Sequence, residues 1–386
     1  MARDLIVFGE DWGAHPSSTQ HLVRLLAADR GVLWVNSIGL RRPRLSVRDL
    51  GRAWRKLRAA LARPAADGAP ARPGAAIQCE TLGPLAPFPV VQPLALPMAQ
   101  GMWARALNRV LLGRRVRGAA GALRRPVVWA SLPSAVQALG ACGESAVVYY
   151  CGDDFGALAG VDHAAALAME AEMAARADLI LAASPALAAR FPAHKTALLE
   201  HGVDYRLFAT PAPRPADLPK GPVAGFYGSL APWLDLRLVA ATARLLPDWR
   251  FLFIGNPSAG TDLAALEGVG NIVRLGPKPH AALPGYAQHW TAGLIPFLDN
   301  DQIRACNPLK LREYLAAGRP VVSTPFPALQ PYAGLVHQAT TAAGFAAALQ
   351  AAAAAAPGPD AARQRAVAAE SWSARAARAA QLIEAL

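Results

Sequence analysis

Three residues spaced three apart could together hold a nucleotide: Asn307, Lys310 and Glu313, in Asn307-Pro308-Leu309-Lys310-Leu311-Arg312-Glu313-Tyr314-Leu315-Ala316-Ala317-Gly318-Arg319-Pro320. Pro308 suits the first turn of a helix, where its missing N–H is no loss, and Gly318 suits the residue just past the end. Asn307 is then the expected N-cap. The free N–H groups and positive dipole end of such a terminus favour an anion, and Lys310 adds a cation beside them. Glu313, one turn further in, is placed to accept hydroxyl hydrogen bonds, as from a ribose. The plainer alternative is an i,i+3 Lys/Glu pair on a surface helix.

A second group is acidic. Asp153 and Asp154 follow the apolar run 146–150 after Cys151-Gly152, and adjacent carboxylates at a strand mouth repel, which raises one pKa and suits a general base. A turn or helix-capping Asp pair is the alternative. The loop 10–21 holds His15, Ser17, Ser18 and His21 and lies beyond the carboxyl end of the first expected strand, where open α/β sheets bind ligands. A capping loop with incidental histidines explains it equally well. Gly228-Ser229 follows another buried run, and a glycine there admits a phosphate close to the backbone.

The stretch 307–320 is similar to the donor-binding signature of Leloir glycosyltransferases with the GT-B fold, where a Glu followed five residues later by Gly-x-Pro holds the nucleotide ribose. Those positions are Glu313, Gly318 and Pro320. The Asn-Pro-x-Lys prefix resembles bacterial transferases of the teichuronic-acid and exopolysaccharide type. The resemblance implies an α/β chain with two Rossmann-like doubly wound domains facing a cleft. Its expected parts are an acceptor-binding domain (1–209), a Pro-rich linker (210–222), a nucleotide-sugar-binding domain (223–370) and a terminal helix (371–386) packing back on the first domain.

The resemblance also implies roles. Donor binding falls to Gly228, Ser229, Lys278, His280, Asn307, Lys310 and Glu313, and acceptor binding to His15, Ser17, Ser18 and His21. Asp153 is the favoured base, with Asp154 as the alternative. Many retaining relatives carry Arg and Lys soon after the position of Gly228, but Leu230-Ala-Pro-Trp-Leu-Asp235 supplies neither. Lys310, with Arg304 or Lys278, is left to neutralise the diphosphate. Retaining members usually carry another Glu eight residues before Glu313, and Ala305 stands there, so an inverting displacement is expected. His201-Gly-Val-Asp204 resembles a hinge-side structural turn.

The elements that must position these groups follow from apolar runs near 4–9, 31–35, 127–130, 146–150, 178–183, 223–228, 250–254, 271–275 and 292–295, alternating with helical stretches. That rhythm predicts two parallel-sheet units, and 386 residues suffice for two cores. The four cysteines form neither a C-x-x-C pair nor a cluster with histidine, which fits a reducing compartment and gives no zinc signal. The first nine residues have no leader pattern, and no uncharged apolar run approaches the roughly 20 residues needed to span a bilayer.

The net charge of +12 is unevenly placed: 41–73 holds ten Lys/Arg against two Asp, and 105–125 holds seven Arg and no acid. With Leu45, Leu50, Trp54, Leu57 and Leu61 interleaved, the first stretch suits an anionic membrane surface. No nucleic-acid-binding signature accompanies it.

The reading is a nucleotide-sugar transferase, UDP-sugar favoured, acting on a lipid-linked or polysaccharide acceptor. It would be peripheral on the inner face of the cytoplasmic membrane, with no metal requirement. A same-fold epimerase or a non-catalytic sugar-nucleotide or membrane binder is the alternative.

Overall fold

The computed structural model describes residues 2–13, 17–38, 86–96, 101–158, 161–354 and 358–386. The basic stretch 41–73 and His15 lie outside them. The chain divides into two compact units, Met1–Glu200 with Trp372–Leu386, and His201–Ser371.

The first unit is a parallel sheet of β1 (Leu5–Phe8), β2 (Val32–Val35), β3 (Val90–Val91), β4 (Val127–Ala130), β5 (Ala146–Cys151), β6 (Leu179–Ala182) and β7 (Thr196–Leu198), in spatial order β3-β2-β1-β4-β5-β6-β7. Its central strands read as unbroken apolar runs because helices cover both faces of such a sheet. The helices are α1 (Ser18–Leu26), α2 (Met102–Ala119), α3 (His163–Arg176) and α4 (Pro185–Ala188).

The second unit repeats the plan with β8 (Val223–Tyr227), β9 (Arg250–Ile254), β10 (Ile272–Arg274), β11 (Ala292–Ile295), β12 (Val321–Ser323) and β13 (Val336–Gln338), ordered β10-β9-β8-β11-β12-β13. Its helices are α5 (Tyr205–Ala209), α6 (Leu236–Leu245), α7 (Leu283–Ala287), α8 (Asp301–Ala305), α9 (Leu309–Ala316), α10 (Ala342–Ala354) and α11 (Ala361–Val367). The last helix, α12 (Trp372–Glu384), belongs to the first unit, where the Trp372 ring stacks on His21 of α1 at 4.6 Å and Glu384 pairs with Arg30 at 3.0 Å.

Helix starts are set locally. Ser17, Asp162, Ser184, Asp204, Asp235, Asn300 and Asp360 each accept a backbone N–H in the first turn of the helix they precede. The edge strands β3, β7 and β13 are two or three residues long, too short for an alternation to show in sequence.

The Pro-rich segment 210–222, expected as an exposed linker, is largely exposed and belongs to the second unit, to which a few contacts anchor it. Leu218 is buried, Ala212 N–H donates to Gln288 at 2.8 Å, and Asp217 accepts from Tyr286 and pairs with Lys278, each at 2.6 Å. The division between units falls after Glu200, so α5 goes with the second.

Candidate active site

In each sheet the order reverses beside the first strand of its unit, and open α/β sheets bind ligands at the carboxyl ends of the strands at that point. In the second unit the point lies between β8 and β11. The turn after β8 carries Gly228 at φ 126°, and the turn after β9 carries Gly255 at φ 140°. A Cβ on Gly255 would sit 2.1 Å from the Gly228 carbonyl oxygen. The two turns therefore lie directly on one another, which only glycine allows. Ser229 follows, exposed.

Lys310, in the first turn of α9, projects to this turn. Its ammonium lies 5.3 Å from the Phe226 ring centroid and 5.6 Å from that of Phe297, and its Cε would be 3.5 Å from a Cβ placed on Gly228. It makes no hydrogen bond or ion pair with any described residue. Burial pushes its pKa down, and Glu313 and Cys306 only partly offset that. The other expected cations are engaged: Lys278 by Asp217, and Arg304 by Asp299 at 2.8 Å and Asp301 at 3.0 Å. Lys310 is the cation left to meet an anion.

Glu313, one turn along α9, accepts from the Tyr227 hydroxyl at 2.7 Å and lies 3.0 Å from His280 Nε2. A carboxylate oxygen accepts more than one bond, and the Glu313 side chain keeps 12% exposure, so it retains capacity for a hydroxyl. Burial alone would lower the His280 imidazole; the hydrogen bond and charge of Glu313, with Asp204, outweigh it and raise the pKa. An edge contact to Phe208 holds the ring.

Asn307 is not the N-cap. The helix begins at Leu309 with extended Pro308 before it, and buried Asn307 accepts through Oδ1 from Arg312. The reason is the Arg312 guanidinium, a buried cation that collects Asn307 and Glu370 around it. At the other end Gly318, at φ 72°, closes the helix as expected: its N–H donates to Leu315 O and that of Arg319 to Tyr314 O.

In the first unit the Asp pair separates into two roles. Asp154 pairs with Arg190 at 2.8 Å and accepts the Gly156 N–H at 2.9 Å, while Arg190 also binds buried Glu170. Asp153 keeps an open side to solvent, yet protein crowded around its carboxyl, and then the charges of Glu10 and Asp154, push its pKa up.

Sequence reading did not single out Glu10. The residue stands just past β1 as Asp153 stands just past β5, and that shared position is the signal for it. Ser17 and Gln20 hold its carboxylate, the latter at 3.0 Å. Ser17 thus serves as both cap and Glu10 donor. Buried Ser18 bonds to Tyr150. His21 is 5% exposed and stacked on Trp372; packing of α12 on α1 takes it out of reach of an acceptor, a correction to the expected contact. Among the described residues, no cluster of His, Cys, Asp and Glu could hold a metal.

Residues 221–354 match the family described as Glycosyl transferases group 1. TuaH of Bacillus subtilis, a protein named for teichuronic acid biosynthesis, is 35% identical over 139 residues. The match covers 34% of this chain, and the chain spans 35% of that relative's length. Among solved structures, Anabaena HepE in complex with UDP-glucose superposes with a TM-score of 0.65 at 14% identity, over 99% of this chain and 100% of that one. The trehalose 6-phosphate synthase of Burkholderia multivorans gives 0.65 at 13%, over 100% and 99%. At such identity the likeness speaks for fold. The two parallel α/β units are those of the GT-B fold, and the match to the glycosyl transferases group 1 family lies in the second of them, over residues 221–354.

Proposed function

We propose that this protein transfers a sugar from a UDP-sugar to a lipid-linked or polysaccharide acceptor at a membrane surface, by a single inverting displacement. The observation that carries the donor reading is Lys310: an ammonium between two aromatic rings, beside the Gly228 turn, with no carboxylate paired to it. A diphosphate supplies the charge that this position lacks. Glu313, oriented by Tyr227 and His280, then accepts from ribose hydroxyls one turn further along. Uracil as the base is supported by HepE, whose structure holds UDP-glucose; the polysaccharide-type acceptor is supported by the likeness to TuaH.

In the reaction, Asp153 takes the proton from the acceptor hydroxyl as that oxygen attacks the anomeric carbon. Its raised pKa makes it a stronger base than an ordinary carboxylate, as proton removal from a hydroxyl requires. The bond to the diphosphate breaks with its electron pair staying on the leaving oxygen, and Lys310 and the α9 N-terminus stabilise the charge that develops there.

Calorimetry of UDP, GDP, TDP and ADP against wild type and Glu313→Ala tests the donor reading. UDP should bind wild type and bind the variant at least about tenfold more weakly. Absence of binding by any of the four to folded wild type would sink it.

A further inference from the structure

Helix α2 is fastened by one face and shows an apolar, cationic stripe on the other. Asn108, Leu112, Gly113 and Val116 are its buried positions. The Asn108 amide bonds both the N–H and the C=O of Leu96, at 2.7 and 2.8 Å, and reaches Gln137 as well. Opposite, Trp103, Leu107, Val110, Arg114 and Arg117 follow one another at steps of four and three, so they form a single line about 21 Å long.

Trp103 is 84% exposed, Leu107 47% and Val110 49%, with Met102 at 75% beside them. One exposed apolar side chain is ordinary. A Trp, a Leu and a Val in register on an outward face are a surface that water covers at a cost.

Among the described residues, most of the charge on this helix has no carboxylate partner. Segment 101–125 contains seven Arg and no acid. Arg105 is taken by Glu172, and Arg109 and Arg117 each donate to a backbone carbonyl, of Gly140 and Ala141, which leaves their charge in place. Glu144 spends its carboxylate on the Gly140 and Cys142 N–H groups. Arg114 is exposed and has no hydrogen bond or ion pair with a described residue. Among the described residues no helix is long and apolar enough to cross a membrane.

We propose that the outer stripe of α2 is the surface by which this protein docks on an anionic lipid bilayer. Trp103, Leu107 and Val110 enter the headgroup region while Arg114 and Arg117 lie at the phosphates. Aromatic rings favour that depth, and arginine keeps its charge in the headgroup layer while its stem stays with apolar groups. A duplex would answer the arginines but leave the Trp-Leu-Val line in water, so a bilayer is the better fit. The proposal rests on the membrane-surface part of the reading above and is independent of donor binding.

The test is co-sedimentation of the full chain with phosphatidylglycerol/phosphatidylcholine vesicles, with phosphatidylcholine vesicles alone, and without vesicles. Wild type should sediment with the anionic vesicles only. Trp103→Ser/Leu107→Ser should weaken the association by about tenfold or more, and Arg114→Gln by about fivefold. These side chains are exposed, so melting temperature and UDP calorimetry should stay at wild-type values and report the fold and the donor site separately. The proposal falls if wild type ignores anionic vesicles, or if the stripe variants sediment as wild type does, which would place docking on another part of the chain. It also falls if the variants instead abolish self-association or duplex binding.

Discussion

The half-buried Lys310 ammonium lies against two aromatic faces in the first turn of α9, where burial lowers its pKa and the positive helix end gives its charge no help, and among the described residues no carboxylate pairs with it. Removing that charge should relieve the folded protein while disabling the donor site. Lys310→Met is therefore expected to melt no lower than wild type and to bind UDP about 10- to 100-fold more weakly, as loss of one charge-assisted contact predicts; calorimetry and thermal melts read the two effects.

Asp153 follows the same logic with opposite charge. Its folded pKa is raised above the unfolded value near 3.9, so the unfolded chain loses its proton first and stability falls as pH rises through that window. At neutral pH the ionised carboxylate costs stability. Asp153→Asn should raise the melting temperature slightly at pH 7, with the gain shrinking as pH is lowered toward about 4, and should lower transfer by about 100-fold or more. A variant that keeps wild-type turnover would remove Asp153 from the base role. Asp154→Asn should instead lose stability, since Arg190 keeps Glu170 but loses the second of its two carboxylate partners.

At the scale of elements, the donor turn exists because three strand ends are laid side by side. Gly228 N–H donates to Ile254 O and Gly255 N–H to Gly276 O, each at 2.9 Å. With its Cβ 2.1 Å from a backbone carbonyl, Gly255→Ala has no side chain to push aside, and the Gly228 turn itself must move. We expect a loss of about 1–3 kcal/mol in denaturant unfolding, together with UDP binding weakened in the folded fraction. The same substitution at exposed Gly270, where a Cβ meets nothing within 4 Å, is the control and should leave binding unchanged. Helix α9 is held at both ends by different means, a Gly318 closure at one and the Arg312 cluster of Asn307 and Glu370 at the other.

At the scale of the whole chain, each of the two units carries its own chemistry at its strand ends: Lys310 and Glu313 among aromatic rings in the second, Glu10, Asp153 and Asp154 in the first. On the proposed mechanism Lys310 and a helix end meet the leaving-group charge, and transfer should then proceed in the presence of a chelator. Activity assayed with EDTA and with added Mg²⁺ or Mn²⁺ checks this; abolition by EDTA and rescue by the metal would overturn it. The terminal helix, stacked on α1 through Trp372 and His21, makes the first unit depend on the last residues of the chain.

What the amino-acid sequence determined by itself is what local periodicity and turn chemistry carry. The unbroken apolar runs specify buried parallel strands, Ser, Asp and Asn at helix starts specify caps, and Gly318 specifies where α9 ends. Lys310 and Glu313 were legible for the same reason, since three residues on a helix place both on one face. Which partner each polar or charged side chain takes was decided only by the tertiary structure. Lys278 and Arg304 look like free cations in sequence, but the fold brings Asp217 to one and folds Asp299 onto the other. Asp153 and Asp154 are equal neighbours until Arg190 binds one of them. Asn307 reads as a cap until the buried Arg312 claims it, and His21 as an acceptor contact in a loop until α12 covers it. In each case a charge or ring withdrawn from water must find a partner, and which one it finds depends on how the backbone is folded, whether the partner is five residues away, as for Asn307 and Arg312, or 61, as for Lys278 and Asp217.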